Sequence, residues 1–130
     1  MKFLVVDDSA IIRQKIINTF IGYDIQFDQA ADGAEALNFL EVLATDYDLI
    51  TLDWNMPNVT GIEVLEKMKA KEMKIPVVMV TTESQRAEVV RAMLAGAKNY
   101  VVKPFDGPSL ITKVSDVLKQ VNKELKKPGG

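Results

Sequence analysis

Residues 3–8 carry the pattern that decides the fold: Phe3-Leu4-Val5-Val6-Asp7-Asp8. A short run of branched and aromatic residues is typical of a strand that is buried on both faces. Similar runs follow at residues 49–52, 77–80 and 100–102. The segment 25–30 alternates apolar and polar residues, which is typical of an edge strand with one wetter side.

Between these runs, apolar residues recur at the spacing of an α-helix, and several of the predicted helix ends carry capping signals. Thr60 and Glu63 have the spacing of a capping box, and Asp106 precedes a Gly-Pro helix start. Gly96 follows the fourth helical segment, where glycine is a good terminator. The last apolar stripe runs over residues 110–125. Strand and helix therefore alternate five times along the chain.

This alternation predicts an α/β fold, namely a flavodoxin-like, doubly wound, five-stranded parallel sheet of (βα)5 topology with helices on both faces. The second and fifth runs are the weakest and are the predicted edges, which favours the strand order 2-1-3-4-5. That order is already known for flavodoxin-type sheets and is not new to this sequence. Because no repeat or linker interrupts the pattern, we predict one domain over residues 1–125 and a flexible C-terminal tail over 126–130.

The composition excludes several classes of site. The 130 residues include no cysteine and no histidine, which removes disulfides, thiolate or histidine metal sites and Ser-His-Asp triads. Sixteen basic and eighteen acidic residues give a net charge of −2, which provides no positive field for nucleic acid. The apolar runs are far shorter than the roughly 20 residues that span a membrane, and carboxylates come too early for a signal peptide. We therefore expect a cytoplasmic protein that binds neither nucleic acid nor membrane.

Polar side chains follow four of the predicted strands. Asp7 and Asp8 follow the first strand, Asp53 the third, Thr81 the fourth and Lys103 the fifth. Because the carboxyl ends of parallel strands meet at one edge of a sheet, these side chains should converge there. Three carboxylates repel one another unless a divalent cation joins them, and Mg²⁺ prefers such oxygen ligands. An aspartate can also attack phosphorus, while an ammonium and a hydroxyl can stabilise phosphoryl charge.

These residues and their neighbours resemble the bacterial two-component receiver domain family over essentially the whole chain. The matching segments are Val5-Val6-Asp7-Asp8-Ser9, Asp53-Trp54-Asn55-Met56-Pro57, Thr81-Thr82-Glu83 and Tyr100-Val101-Val102-Lys103-Pro104-Phe105. The resemblance implies that Asp53 accepts a phosphoryl group and that Lys103 pairs with the acceptor or with that group. It also implies that Thr81 and Tyr100 form the switch pair, and that the Lys103–Pro104 peptide is cis.

The resemblance further implies a Mg²⁺ site. Asp8 and Asp53 would ligate the ion directly, Asp7 would lie close by and act largely through water, and the backbone carbonyl of Asn55 would complete the set.

A receiver domain is a signalling switch rather than an enzyme, although it assists its own phosphotransfer and dephosphorylation. The resemblance implies a histidine kinase as phosphodonor and a protein effector that binds the face made by the fourth helix, fifth strand and fifth helix. A phosphatase is a further candidate partner. The segment from Asp53 to Pro57, followed by Asn58 and Gly61, looks most like the single-domain chemotaxis regulators of the family. That likeness suggests the flagellar motor switch as the effector.

Two alternatives stay open at this stage. The same domain could be cut from a larger DNA-binding response regulator, if the reading frame continues past Gly130 into a helix-turn-helix domain. A more distant alternative is a small phosphatase or flavin carrier on the same architecture. The flavin carrier would need a phosphate-cradling loop after the first strand, where this chain has acidic residues. The phosphatase would need an acid two residues after its nucleophile, where Asp7 and Asp8 are followed by Ser9 and Ala10.

Overall fold

The computed structural model describes residues 1–128 and contains five parallel strands that alternate with five α-helices. The strands are β1 (Lys2–Val6), β2 (Gln26–Ala30), β3 (Leu49–Leu52), β4 (Val77–Thr81) and β5 (Asn99–Val102). The helices are α1 (Ala10–Thr19), α2 (Gly33–Leu43), α3 (Gly61–Ala70), α4 (Arg86–Leu94) and α5 (Gly107–Gln120), with a 3-10 helix (Ala44–Asp46) after α2. The sheet order β2-β1-β3-β4-β5 confirms the predicted fold class and both predicted edges. Within the described residues, no helix is both long and apolar enough to cross a membrane.

Alternating side chains along the strands build one core on each face of the sheet. In β1, Phe3 and Val5 pack in the core that α1 and α5 cover, while Leu4 and Val6 pack in the core under α2, α3 and α4. All four side chains are at most 1% exposed. A strand covered on both faces is held firmly, so the residues that follow it have fixed positions.

The predicted capping signals are present. The Thr60 side chain accepts a hydrogen bond from the Glu63 N–H, and the Glu63 carboxylate accepts one from the Thr60 N–H. Asp106 caps α5 by accepting a hydrogen bond from the Ser109 N–H. Gly96 has φ of +119° just after α4, a left-handed conformation that favours glycine. These signals start α3 and α5 and end α4 where the sequence predicts.

The end of α5 differs from the prediction. The helix stops at Gln120, and Asn122 has φ of 59°, so Leu125 lies outside the helix. Leu125 is nevertheless half-buried against the core of α1 and α5. The apolar spacing therefore continues because the chain turns and packs on the same core, not because the helix continues. Of the predicted tail, Gly129 and Gly130 lie outside the described residues.

The first residue and the segment after α5 meet at Asp24. The Met1 ammonium donates a hydrogen bond to the Asp24 carbonyl oxygen (3.3 Å), and the Asp24 N–H donates one to the Lys126 carbonyl oxygen (2.7 Å). Met1 directly precedes β1, so this junction lies at the amino end of the sheet, opposite the edge where the strands deliver their polar residues.

Candidate functional site

The candidate site lies at the edge where β1, β3, β4 and β5 end. The backbone ladder continues one residue past β1 and past β3. The Asp7 N–H donates to the Ala30 carbonyl oxygen (3.1 Å), and the Asp53 N–H donates to the Val6 carbonyl oxygen (3.0 Å). Neighbouring strands, rather than a loose loop, therefore hold the backbones of both aspartates.

The three predicted carboxylates converge. One oxygen from each of Asp7, Asp8 and Asp53 lies within 4.8 Å of the others. Asp7 and Asp53 are only 1% and 6% exposed, whereas Asp8 is exposed to solvent. Carboxylate oxygens at this spacing suit a hard cation such as Mg²⁺, and the exposed side at Asp8 gives the ion a path from solvent. This cluster could therefore bind a divalent metal.

Lys103 bridges the two buried carboxylates. Its Nζ lies 2.6 Å from Asp7 Oδ2 and 3.2 Å from Asp53 Oδ2. The resemblance implied the contact to Asp53, and the structure adds the shorter contact to Asp7. The Lys103–Pro104 peptide is cis, as the resemblance also implied. One ammonium thus faces two buried carboxylates, so the cluster keeps an excess of negative charge.

The surroundings of Asp7 disfavour the charged form of its carboxyl group. Burial raises the pKa of the Asp7 carboxyl above its usual value, even though hydrogen bonds from Lys103 and from the Ser9 N–H act in the opposite direction. The negative charge of Asp53 adds to the increase in pKa. Without a cation, the cluster therefore carries its negative charges at a cost in stability.

The loop after Asp53 is fixed by short backbone contacts. The Trp54 N–H donates to Asp53 Oδ1 (2.8 Å), and the Trp54 carbonyl oxygen accepts from the Gly61 N–H (2.9 Å). A Cβ at Gly61 would lie 2.1 Å from the Asp53 carbonyl oxygen. Glycine is therefore required for α3 to start this close to Asp53.

Thr81 and Tyr100 meet through a third residue, Glu83. Thr81 is completely buried, and its Oγ1 accepts a hydrogen bond from the Glu83 N–H (3.3 Å). The Tyr100 hydroxyl donates to the Glu83 carbonyl oxygen (2.5 Å), and Glu83 Oε1 accepts from Asn55 Nδ2 (2.6 Å). Burial, with the nearby charge of Glu88, raises the pKa of Tyr100 to about 12, so its phenol stays protonated as a donor. Thr81, Tyr100 and Asn55 thus form a second group beside the carboxylate cluster.

The sequence analysis missed two residues that hold Asp7. The Ser9 N–H donates to Asp7 Oδ1 (2.9 Å), and Arg13 Nη1 donates to the Asp7 backbone oxygen (2.7 Å). Ser9 also caps α1 by accepting a hydrogen bond from the Ile12 N–H. The available signal was an N-cap serine directly after the two aspartates, with a cation one helical turn later.

Comparison with known families agrees with this geometry. The sequence profile described as the response regulator receiver domain matches residues 3–115. The chain belongs to the response regulator receiver domain family. The matched stretch of this receiver domain contains every polar residue of the site described above, from Asp7 to Lys103.

Its curated relatives include chemotaxis proteins. The chemotaxis protein CheY homolog of Campylobacter jejuni is 43% identical over 122 residues, which cover 91% of this chain and 92% of that protein. CheY1 of Helicobacter pylori is also 43% identical, over 91% of this chain and 97% of the relative. CheY of Pseudomonas aeruginosa is 37% identical, over 94% of this chain and 99% of the relative. The receiver domain is therefore CheY-like.

Solved structures agree with the fold. The Francisella response regulator 1452 receiver domain superposes with a TM-score of 0.85 at 30% identity, over 93% of this chain and 98% of that one. CheY in the CheX–CheY–BeF3–Mg²⁺ complex of Borrelia burgdorferi gives a TM-score of 0.84 at 29% identity, over 90% and 88% of the two chains. That CheY is held in a complex with CheX.

Proposed function

We propose that this receiver domain is a phosphorylation-activated switch, which accepts a phosphoryl group from a histidine kinase on Asp53 with Mg²⁺ and then binds a downstream protein. The observation that carries the proposal is the position of Lys103 Nζ, 2.6 Å from Asp7 and 3.2 Å from Asp53, beside the three-carboxylate cluster. We assign the switch to residues 1–125.

In the proposed transfer, a carboxylate oxygen of Asp53 attacks the phosphorus of the phosphorylated histidine. A P–O bond forms, the P–N bond breaks, and its electron pair returns to the imidazole nitrogen. Lys103 stabilises charge on the phosphoryl oxygens, and its contact with Asp7 keeps the ammonium in place as Asp53 becomes an acyl phosphate.

Four residues would hold Mg²⁺. We assign direct ligation to Asp8 and Asp53, a largely water-mediated role to Asp7, and the remaining protein ligand to the backbone carbonyl of Asn55. When bound, the ion would neutralise negative charge on the phosphoryl oxygens. The same residues would assist hydrolysis of the acyl phosphate on Asp53. The domain would then remove its own phosphoryl group and would not act on an external substrate.

Thr81 and Tyr100 would transmit the change. We expect the Thr81 hydroxyl to donate to a phosphoryl oxygen in place of its present contact with the Glu83 N–H. The Tyr100 side chain is already buried, with 7% of the residue exposed. Phosphorylation is therefore expected to hold the inward ring rather than to create it.

The proposed partner face consists of α4, β5 and α5. It exposes apolar side chains at Val90, Met93 and Val102, which are 46%, 42% and 41% exposed. The chemotaxis names of the relatives favour a flagellar motor switch protein as the effector. The CheX–CheY complex supports the expectation of a further protein partner, for which a phosphatase is our candidate.

Labelling with acetyl phosphate and Mg²⁺ tests the acceptor. The intact mass should rise by one phosphoryl group in the wild type and in Asp48→Asn, a control at the opposite end of the sheet. Asp53→Asn should gain no acyl phosphate. Undiminished labelling of Asp53→Asn on another residue would overturn the assignment.

Binding to a purified flagellar motor switch protein tests the effector. Phosphorylated wild type should bind more tightly than the unphosphorylated form, and Val90→Glu should weaken that binding. Val42→Glu, at an 80% exposed position on α2, is the matched control and should bind normally. Equal binding of the two wild-type forms would exclude this effector while leaving the acceptor assignment intact.

A further inference from the structure

We propose that Arg13 is a positioning residue of the carboxylate cluster, which fixes the peptide between Asp7 and Asp8 so that Asp8 meets the cation. The inference rests on the proposed Mg²⁺-dependent function. Arg13 lies one helical turn into α1 and is half-buried. Its Nη1 donates to the Asp7 backbone oxygen (2.7 Å), and its Nε donates to Gln29 Oε1 (2.9 Å).

The Asp7 side chain and N–H are already tied by other contacts. Its two carboxylate oxygens accept from the Ser9 N–H and from Lys103 Nζ, and its N–H donates to Ala30. The Asp7 carbonyl belongs to the peptide that leads into Asp8. Because the Asp8 carboxylate is exposed, its position depends chiefly on that peptide. The Arg13 contact therefore holds the peptide from which the Asp8 side chain extends.

The shape of the guanidinium matters for this contact. Nε and Nη1 lie on one rigid plane, so Arg13 fixes the Asp7 carbonyl relative to Gln29 on β2. A lysine has a single ammonium on a flexible chain and cannot reproduce the two fixed donor directions. Charge-assisted bonds of this kind are stronger than neutral ones, and residues that orient metal ligands affect metal affinity strongly.

The charge of Arg13 and its positioning role predict opposite effects of removing it on Mg²⁺ affinity. The guanidinium is a cation beside a cation site, so its removal would tighten Mg²⁺ binding if only Coulomb repulsion mattered. Positioning predicts that removal weakens binding. The sign of the change in Mg²⁺ affinity therefore separates the two roles.

The test is a Mg²⁺ titration that follows the fluorescence of Trp54, with calorimetry as a second readout. The proteins are wild type, Arg13→Gln, Arg13→Lys and the control Lys15→Gln, which removes an exposed cation from the same helix. We expect Arg13→Gln to raise the Kd roughly tenfold and Arg13→Lys to raise it severalfold although it keeps the charge. Lys15→Gln should stay within about twofold of wild type, because the charge it removes is solvent-exposed and screened.

Thermal melts without metal show that each variant is folded, and the titration is repeated at high salt. A positioning effect persists at high salt, whereas a charge effect is screened. If folded Arg13→Gln and Arg13→Lys bind Mg²⁺ as tightly as wild type or more tightly, the inference is wrong and the proposed function stands. If wild type itself binds no Mg²⁺, both the inference and the metal-dependent function are wrong.

Discussion

At the carboxyl end of the sheet the two buried carboxylates of Asp7 and Asp53 share the Lys103 ammonium, whereas at the amino end the carboxylate of Asp48 has a hydrogen-bond donor for each of its two oxygens. Asp48 Oδ1 accepts from Lys123 Nζ (2.6 Å), and Asp48 Oδ2 accepts from the Lys2 N–H (2.9 Å). Burial alone would raise the pKa of Asp48, but these two hydrogen bonds, together with the positive charges of Lys123 and the Met1 ammonium, lower the pKa. For Asp7 the balance is reversed, and its pKa is raised.

The opposite pKa shifts of Asp48 and Asp7 indicate that the charged groups stabilise the fold at the amino end of the sheet more than at the carboxyl end. At the amino end both carboxylate oxygens of Asp48 are paired with donors. The carboxyl end crowds like charges and leaves them partly uncompensated, which suits a site that recruits a cation. Four substitutions test this comparison, in order of decreasing effect.

The largest effect is expected from removing the central ammonium. Lys103→Met leaves Asp7 and Asp53 buried without a counter-ion, and breaking such a buried pair should lower the free energy of unfolding by about 3 kcal/mol in metal-free buffer. Lys123→Met, the matched change at the amino end, should cost less than about 1 kcal/mol because the Lys123 side chain is 43% exposed, against 12% for Lys103. Urea unfolding of both variants measures the two costs. Equal costs would mean that the two ends do not differ electrostatically.

A steric test of the carboxyl end is Gly61→Ala. The new Cβ would meet the Asp53 carbonyl oxygen, so the start of α3 has to move, which should cost about 2 kcal/mol. Gly107→Ala is the control, since its Cβ would make an ordinary contact with Thr19 at 3.6 Å. We expect the control to keep its stability within about 0.5 kcal/mol. A Gly61→Ala protein that unfolds at the wild-type urea concentration would contradict the tight approach of α3 to Asp53.

Neutralising Asp8, the exposed member of the cluster, should increase the stability of the metal-free protein, in contrast to the two preceding substitutions. Asp8→Asn removes one repelling charge and should stabilise the metal-free protein by up to about 1 kcal/mol. Mg²⁺ at about ten times its Kd should stabilise wild type by roughly 1.4 kcal/mol and the variant much less. Thermal melts with EDTA and with Mg²⁺ measure both effects. An equal rise in Tm for the two proteins would show that Asp8 is not part of the metal site.

The smallest effect is a pH dependence at the amino end. The pKa of Asp48 is lower in the folded protein than its ordinary value, so its contribution to stability is present at neutral pH and is lost as pH falls below about 4. Asp48→Asn should therefore cost about 0.5 kcal/mol near neutral pH. The cost should shrink as the pH is lowered from neutral toward about 2.5, because wild-type Asp48 becomes progressively protonated over that range. Urea unfolding at both pH values checks this, and a cost that grows in acid would reverse the sign we assign.

Much of this picture could be predicted from the sequence, because it depends on regular geometry. Apolar runs predict buried strands, and the residue after a parallel strand must lie at the sheet's carboxyl edge. That argument alone brings Asp7, Asp8, Asp53 and Lys103 to one place. Capping residues such as Thr60 predict helix starts because their partners are only three residues away.

Other features depend on side-chain contacts that produce no periodic pattern in the sequence. Whether Lys103 lies closer to Asp7 or to Asp53 is decided by side-chain packing at the buried edge, which sequence spacing does not encode. The group by which Arg13 contacts Asp7 is a backbone carbonyl, and any residue type supplies one. Leu125 fits the helical stripe of α5 equally well from outside the helix, because a turn at Asn122 returns it to the same core.

The junction at Asp24 has a consequence for the connectivity of the chain. Met1 and Lys126 both hydrogen-bond the backbone of this one residue, so the first residue and the segment after α5 are close neighbours in space. A short Gly/Ser linker could therefore join them, and the chain could be reopened in the exposed turn after α3, at Lys71 or Glu72. Neither the junction nor that turn contributes a residue to the carboxylate cluster. Such a circular permutant would encode β1 and its two aspartates late in the sequence while keeping the same cluster at the same edge of the sheet.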